Sequence, residues 1–305
     1  MLDRVRGRAS YLAYRSGAEL ARALPERVSD PLARGISRLA ALAMPERRAQ
    51  VARNLRRATG GTLEGSALQR AVYQTFDSYG RYWVELFRLT SELADVEVIE
   101  SHQWVDGFEH LVEACDEGNG AIIALPHVGG WEFAGAWLAT RGYPPTVVVE
   151  PVEPPELFEW FASVRRELGM EVVALGPEAG GTILRALREN RVVCLVCDRD
   201  LTGDGVEVEF FGERTTLPAG PATLSLRTKA PLLPTAVYFA PNGGHHGVVQ
   251  PALRIERKGR LRADVQRLTQ ELAYRFEQLI RAAPEQWHLM QPNWPSDREA
   301  VAVRG

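Results

Sequence analysis

A chain of 305 residues, 45% hydrophobic and 25% charged, is long enough for one large domain with a real core and has none of the bias of a disordered or fibrous protein. Its net charge of −3 argues against a general nucleic-acid binder, and three cysteines make no disulfide framework and point to a reducing compartment. No apolar run approaches the roughly 18–20 residues of a membrane span, and Arg8, Arg15 and Arg22 break the N-terminus where a signal peptide would be apolar, so the chain is expected to be neither secreted nor membrane-spanning.

Residues 1–95 read as helices. "ASYLAYRSGAELARAL" sets Leu12, Leu20 and Leu24 among arginines. In "SALQRAVYQTFDSYGRYWVELFRL", Leu68, Val72, Phe76, Tyr79, Trp83 and Leu86 recur at spacings of four and three, which is one face of a helix. The first 60 residues hold thirteen Arg against five Asp and Glu, a net of +8 in a chain that is otherwise acidic.

From about residue 104 the texture changes. "GFEHLVEACDEG" reads as a helix stopped by Gly118 and Gly120, "AIIAL" (121–125) as a short buried strand, "WEFAGAWLAT" as a helix and "PTVVVE" (145–150) as a strand. "PPELFEWFASVRRELG" is a helix with proline at its start and Gly169 at its end, followed by strand "EVVAL", helix "EAGGTILRALREN" and strand "RVVCLVC". "GVEVEFFG" and "PLLPTAVYFA" add strands around helix "PAGPATLSLRTK". "ADVQRLTQELAYRFEQLIRAA" closes the run with Val265, Leu268, Leu272, Phe276 and Leu279 on one face. Strands alternating with helices imply an α/β fold with a central, mostly parallel sheet flanked by helices. The strand runs lack two-fold alternation, as strands buried on both faces do. The expected organisation is one domain over 1–305, with a helical region over 1–100 packed on an α/β core over 101–295.

Two smaller features read as structural. Cys194 and Cys197 match C-x-x-C in form, but in an apolar strand a spacing of three sends them to opposite faces. "NGGHHGVV" (242–249) places His245 and His246 in an exposed hairpin turn.

The chemistry concentrates in "ALPHVGGWEFAGAW" (124–137). Ligands of open α/β sheets gather outside the carboxyl ends of strands, which is where Pro126 and His127 follow "AIIAL". Gly129 and Gly130 let the chain turn and approach a ligand closely, and Glu132 falls in the first turn of the next helix. A neutral imidazole can take a proton from an attacking hydroxyl, a carboxylate can fix its tautomer, and nearby helix N–H groups can hold an oxyanion. With no Ser or Cys in this corner, direct attack by the substrate is favoured over an acyl-enzyme. From spacing alone, a helix-capping histidine beside an incidental glutamate fits equally well. A zinc site fits less well, because H-E-x-x-H is absent.

"HVGGWE" is the H-x4-[D/E] motif of the glycerolipid-type acyltransferases, and its surroundings resemble the lipid A lauroyl/myristoyl acyltransferase-like family with its phosphatidylinositol mannoside acyltransferase branch. The family's acidic stretch and "FFG" strand end read here as "CDRDLTGDGVEVEFFGE" (197–213), and its small-residue segment and following strand as "TLPAGPATLSLRTKAPLLPTAVY". The similarity spans roughly residues 100–295 with its segments in family order. The "E-G-T-R" block of glycerol-phosphate acyltransferases is not found and the N-terminal anchor usual in lipid A acyltransferases is not expected, which turns the resemblance toward the mannoside acyltransferases.

The resemblance implies an acyl-CoA-dependent O-acyltransferase, with acyl-CoA as co-substrate and no cofactor or metal. It implies a long chain such as palmitoyl, moved to a mannose hydroxyl of a mannosylated phosphatidylinositol by a monomer on the cytoplasmic face of the cell membrane. His127 matches the catalytic base and Glu132 its carboxylate partner. Arg165 matches an arginine facing the donor's thioester and phosphates, with Arg166 one position away. Asp198 and Asp200 match acidic residues beside the acceptor sugar, and Arg199 between them and Gly129 and Gly130 are taken as substrate-binding. The basic helices suit an anionic membrane surface, although scattered charge is as a rule a solvated face. Trp131, Phe133, Trp137, Trp160 and Phe161 fit core packing or the wall of an acyl tunnel, while Trp287 and Trp294 read as structural. A lipid A-like acceptor and a lipid-binding protein without catalysis remain the alternatives.

Overall fold

The computed structural model describes residues 2–89, 96–241 and 243–302. The helical expectation for residues 1 and 90–95, and Asn242 of the expected turn, lie outside them. The N-terminal helices are Leu2–Ala23 (α1), Glu26–Ala43 (α2), Pro45–Ala58 (α3), Gly65–Arg88 (α4) and Val96–Ser101 (α5). The core then runs Gln103–Asp106 (β1), Phe108–Asp116 (α6), Ala121–Leu125 (β2), Trp131–Thr140 (α7), Thr146–Val149 (β3), Pro155–Glu167 (α8), Glu171–Ala174 (β4), Ala179–Arg188 (α9) and Val192–Val196 (β5). It continues with Val206–Phe210 (β6), Glu213–Leu217 (β7), Gly220–Thr228 (α10), Leu232–Phe239 (β8), His245–Val249 (β9), Leu261–Ala282 (α11) and Pro295–Ala302 (α12).

Seven strands form one sheet in the order β1-β9-β8-β2-β5-β3-β4. All neighbours are parallel except the β8–β9 hairpin. The expected α/β architecture is therefore the one observed. β2, apolar along its whole length, is buried at every residue because it lies between β8 and β5 with helices on both faces. One side packs Ile122, Val193, Leu232 and Phe276 into a core, and the other packs Ile123, Leu125, Phe133 and Trp137. Cys197 belongs to the first and Cys194 packs on the second, opposite faces as strand geometry demands. Burial pushes the Cys194 thiol up to about 12, which keeps it inert.

Two sequence expectations are corrected. "GVEVEF" does not join the central sheet: β6 alternates exposed Glu207 and Glu209 with buried Val208 and Phe210, and pairs antiparallel with β7 as a separate two-stranded sheet. A strand with one polar face cannot be buried on both. His245 and His246 do not sit in an exposed turn. They open β9, with the turn before them, because the register Phe239↔His245 carries the ladder to both histidines. His245 is 2% exposed, stacks on Phe133 at 4.1 Å and bonds Glu85 at 2.9 Å, and His246 bonds Asp106 at 2.8 Å.

The N-terminal helices rest on the core. Tyr14 of α1 meets Phe161 of α8 edge-on at 5.7 Å, and Arg22 donates to the Phe87 carbonyl at 2.8 Å. Part of the N-terminal positive charge is consumed internally: Arg53 and Arg57 both reach Asp297, which is fully enclosed. Among the described residues no helix is long and apolar enough to cross a membrane.

Candidate active site

β2 and β5 are parallel neighbours with Leu125 opposite Val196. His127 follows the end of β2 by two residues and Asp198 follows the end of β5 by two, so the register that pairs the strands also sets these side chains together. His127 Nδ1 lies 2.5 Å from Asp198 Oδ1, and the His127 backbone N–H donates to Asp198 Oδ2 at 3.1 Å. Trp287 Nε1–H donates to the same Oδ2 at 2.8 Å, and Asn293 Nδ2 donates to the Asp198 carbonyl at 3.1 Å. Asp198 has no exposure, whereas the His127 side chain keeps 35%. Burial opposes ionisation of Asp198, but the His127 ring, the Trp287 N–H and the His127 N–H outweigh it and hold the carboxyl below the ordinary carboxylate range. With Nδ1–H given to Asp198, Nε2 is the basic atom of the ring.

The ring's carboxylate partner is thus Asp198 and not Glu132, which corrects the reading of H-x4-E as a self-contained dyad. Glu132 sits in the first turn of α7 and gives both oxygens to Arg165 of α8, Oε2 to Nε at 3.0 Å and Oε1 to Nη2, while Tyr82 Oη–H donates to Oε1 at 3.2 Å. Arg165 also donates to the Phe161 carbonyl at 3.2 Å and is buried. Arg165, expected to face a donor's phosphates, is paired with Glu132, and both residues stand on the wall of the cavity that holds His127. Breaking such a pair leaves an uncompensated buried charge, which costs about 3–5 kcal/mol. Glu132→Gln is therefore expected to lower the unfolding midpoint sharply, and an unchanged melting temperature would show that the pair does not brace α7 against α8.

Asp200 is also reassigned. Its oxygens accept from Thr216 Oγ1 at 2.7 Å and from the N–H groups of Gly203 at 2.9 Å and Gly205 at 3.0 Å, so it closes the turn into β6. Of the two acids, Asp198 is the one at the site. Arg199 does line the cavity, 3.6 Å from Glu150 Oε2. The two glycines serve the protein's own packing. A Cβ on Gly129, at φ +61°, would lie 2.0 Å from the Val237 carbonyl, and one on Gly130 would lie 2.6 Å from the His245 ring. Their N–H groups go to Gln286 O at 3.1 Å and Val237 O at 3.0 Å, so neither is left to hold an oxyanion.

His127 opens into a cavity of about 500 Å³. Glu150, Arg199 and Thr202 line it beyond the carboxyl end of the sheet, and an apolar arm runs between α7 and the sheet, walled by Phe108, Leu125, Trp137, Leu138 and Val237. Trp131 and Trp137 are wall residues. Phe133 stacks on His245, and Trp160 and Phe161 belong to the core. Among the described residues no three His, Cys, Asp or Glu side chains gather as a metal would require.

Sequence reasoning missed two contributors. Trp287, read as structural, fixes Asp198. His288, buried beside it, donates its backbone N–H to the His127 carbonyl at 2.7 Å and shares a 2.8 Å bond between Nε2 and Ser78 Oγ. Burial first, and the neighbouring His127 second, push the His288 ring down to about 3. The folded protein keeps it neutral, while the unfolded chain protonates it near 6.5. Its contribution to stability is complete above about pH 6.5 and declines as pH falls toward about 3. His288→Phe is expected to flatten the acid-side fall in melting temperature, and an unaltered slope would count against this assignment.

The profile of the bacterial lipid A biosynthesis acyltransferase family matches residues 7–296. The chain is 40% identical over 292 residues to a phosphatidylinositol mannoside acyltransferase of Mycobacterium tuberculosis (strain CDC 1551 / Oshkosh), covering 93% of this chain and 88% of that one. To the protein of that name in Mycolicibacterium smegmatis it is 37% identical over 298 residues, covering 95% and 93%. To a lipid A biosynthesis acyltransferase of Haemophilus influenzae it is 26% identical over 185 residues, covering 59% and 55%.

Proposed function

The chain belongs to the bacterial lipid A biosynthesis acyltransferase family and is an acyltransferase of lipid biosynthesis, and from that premise we propose that it moves a long fatty acyl chain, palmitoyl by expectation, from acyl-CoA to a mannose hydroxyl of a mannosylated phosphatidylinositol. The observation that carries this reading is the His127–Asp198 pair, with His127 on the wall of a cavity lined largely by apolar side chains. The likeness to named mannoside acyltransferases over nearly the whole chain supports the acceptor.

In this mechanism Asp198 holds the Nδ1–H tautomer, and Nε2 removes the mannose hydroxyl proton as its oxygen attacks the thioester carbonyl. The C–O bond forms, the C–S bond breaks, and the departing thiolate takes the proton back from Nε2. The apolar arm seats the acyl chain. Arg199, on the cavity wall and only loosely held by Glu150, is the cation best placed for the donor's phosphates, the role first expected of Arg165. Glu132, Arg165 and Tyr82 brace α7, and Trp287 positions Asp198.

Work on a membrane lipid requires access to a bilayer. Leu39 and Leu42 of α2, 67% and 58% exposed, supply an apolar edge for docking as a peripheral protein on the cytoplasmic leaflet. Leu39→Glu with Leu42→Glu is expected to weaken flotation with anionic vesicles at an unchanged melting temperature. Equal flotation would remove this edge from the reading. The reaction itself is tested with radiolabelled palmitoyl-CoA and a total lipid extract. One labelled product on a mannosylated inositol lipid supports it, a different labelled glycolipid overturns the acceptor, and no labelled lipid overturns the reaction.

A further inference from the structure

A second hollow of about 490 Å³ lies between α1, α2 and α4, on the outer side of the helices that wall the catalytic cavity. Small residues open it: Ala13 and Gly17 on α1, and Ala33 and Ala40 on α2. At its floor α2 and α4 touch, because Gly80 leaves no room for a Cβ, which would lie 1.9 Å from Ser37 Oγ. Leu20, Leu32 and Ile36 line it and are at the same time 41–56% exposed, so the groove opens to the outside along an apolar lip.

Two features say what fits there. The groove and the catalytic cavity back onto each other: Tyr79 and Trp83 of α4 line both, and after Trp287 the chain puts His288 and Leu289 into one and Met290 into the other. Tyr14 closes the partition, 5.3 Å from the Trp83 ring. The groove also has one cationic lining residue. Arg47 is exposed, pairs with no carboxylate among the described residues, and its charge reaches the Tyr14 hydroxyl. An apolar trough with an uncompensated guanidinium matches a hydrocarbon chain that carries an anionic phosphate.

We propose that this groove takes one hydrocarbon chain of the phospholipid acceptor, with the lipid's phosphate at Arg47. The inference rests on the reading that the acceptor is an anionic phospholipid glycolipid, and it adds a chain-binding site separate from the apolar arm beside His127. The acceptor is then held by its chain on one side of Tyr79 and Trp83 while its sugar is presented on the other, so that binding energy far from the reacting hydroxyl orients it.

The test is photolabelling with phosphatidylinositol carrying a diazirine in one acyl chain, in phosphatidylcholine vesicles, followed by peptide mapping of the full chain. Adducts are expected on the groove faces of α1, α2 and α4, and Ala33→Trp, which plugs the trough, is expected to remove them. Ala33→Trp is also expected to raise the acceptor KM by about tenfold, the equivalent of losing roughly 1.4 kcal/mol of binding, with the KM for acyl-CoA unchanged. Arg47→Glu, at an exposed position that leaves packing intact, is expected to shift the acceptor KM in the same direction. Adducts scattered outside the groove, links between two protein copies, or a normal acceptor KM in both variants would overturn the proposal. Normal transfer without groove adducts defeats the groove and leaves the reaction standing. Groove adducts in a protein that transfers no acyl group support the groove and defeat the reaction.

Discussion

His127→Ala is expected to lower acyl transfer by roughly 10²–10⁴-fold, the range for loss of a positioned general base. The side chain is 35% exposed and packs edge-on to Trp131 at 5.6 Å, so its removal opens no large cavity in the core. The substitution does take one donor from the buried Asp198 carboxylate, which still receives the residue-127 and Trp287 N–H groups. His127→Asn separates the two effects. Its amide can still donate to Asp198 but offers no base, so it is expected to fold like the parent and to be equally inactive. Near-normal transfer by either folded variant would defeat the mechanism.

Asp198→Asn is the sharper test of the assignment that the structure changed. Three donors converge on the Asp198 carboxylate: His127 Nδ1–H, the His127 backbone N–H and Trp287 Nε1–H. An amide supplies one acceptor oxygen and two hydrogens, so it cannot satisfy all three. If its nitrogen faces the ring, Nδ1 must become the acceptor and the proton moves to Nε2, where it blocks the base. A loss of roughly 10²–10⁴-fold is expected, as for wrong-tautomer variants of hydrolytic triads. The acid limb of stability should change as well. A carboxyl held below its ordinary range adds stability that is present above the unfolded-state pKa and is lost as pH falls through the folded one. The Asn variant lacks that dependence, so its melting temperature should vary less with pH on the acid side. Activity within a few-fold of the parent would return the orienting role to another group. Glu132→Gln should behave differently, losing melting temperature while any surviving activity keeps the parental pH profile, because Glu132 bonds Arg165 and Tyr82.

The amphipathic stripe from Leu68 to Leu86, the buried run of β2 and the β–α alternation were legible in the sequence because each depends on neighbours a few positions away. β9 and the isolated β6–β7 hairpin were harder, since "HHGVV" looks like a turn until β8 supplies its partner. At the site, His127 was readable from its motif, as was the presence of acids at Asp198 and Asp200. A finer signal was present and passed over: His127 and Asp198 each follow closely on a short apolar run, "AIIAL" and "VVCLVC".

That signal becomes a contact only when β5 lies next to β2, although the chain places β3 and β4 between them. Strand order is decided by which faces can be covered by which helices, a property of the whole sheet. The same holds for Glu132. Its helix position is local, but its partner Arg165 is 33 residues away on α8 and is brought in by packing. Local periodicity determined the stripe of α4 and the buried strand β2, and the motif singled out His127. Which of three acids holds the imidazole and which arginine is tied to Glu132 were decided by tertiary structure, because hydrogen bonds and desolvation act between groups that only the folded sheet makes neighbours.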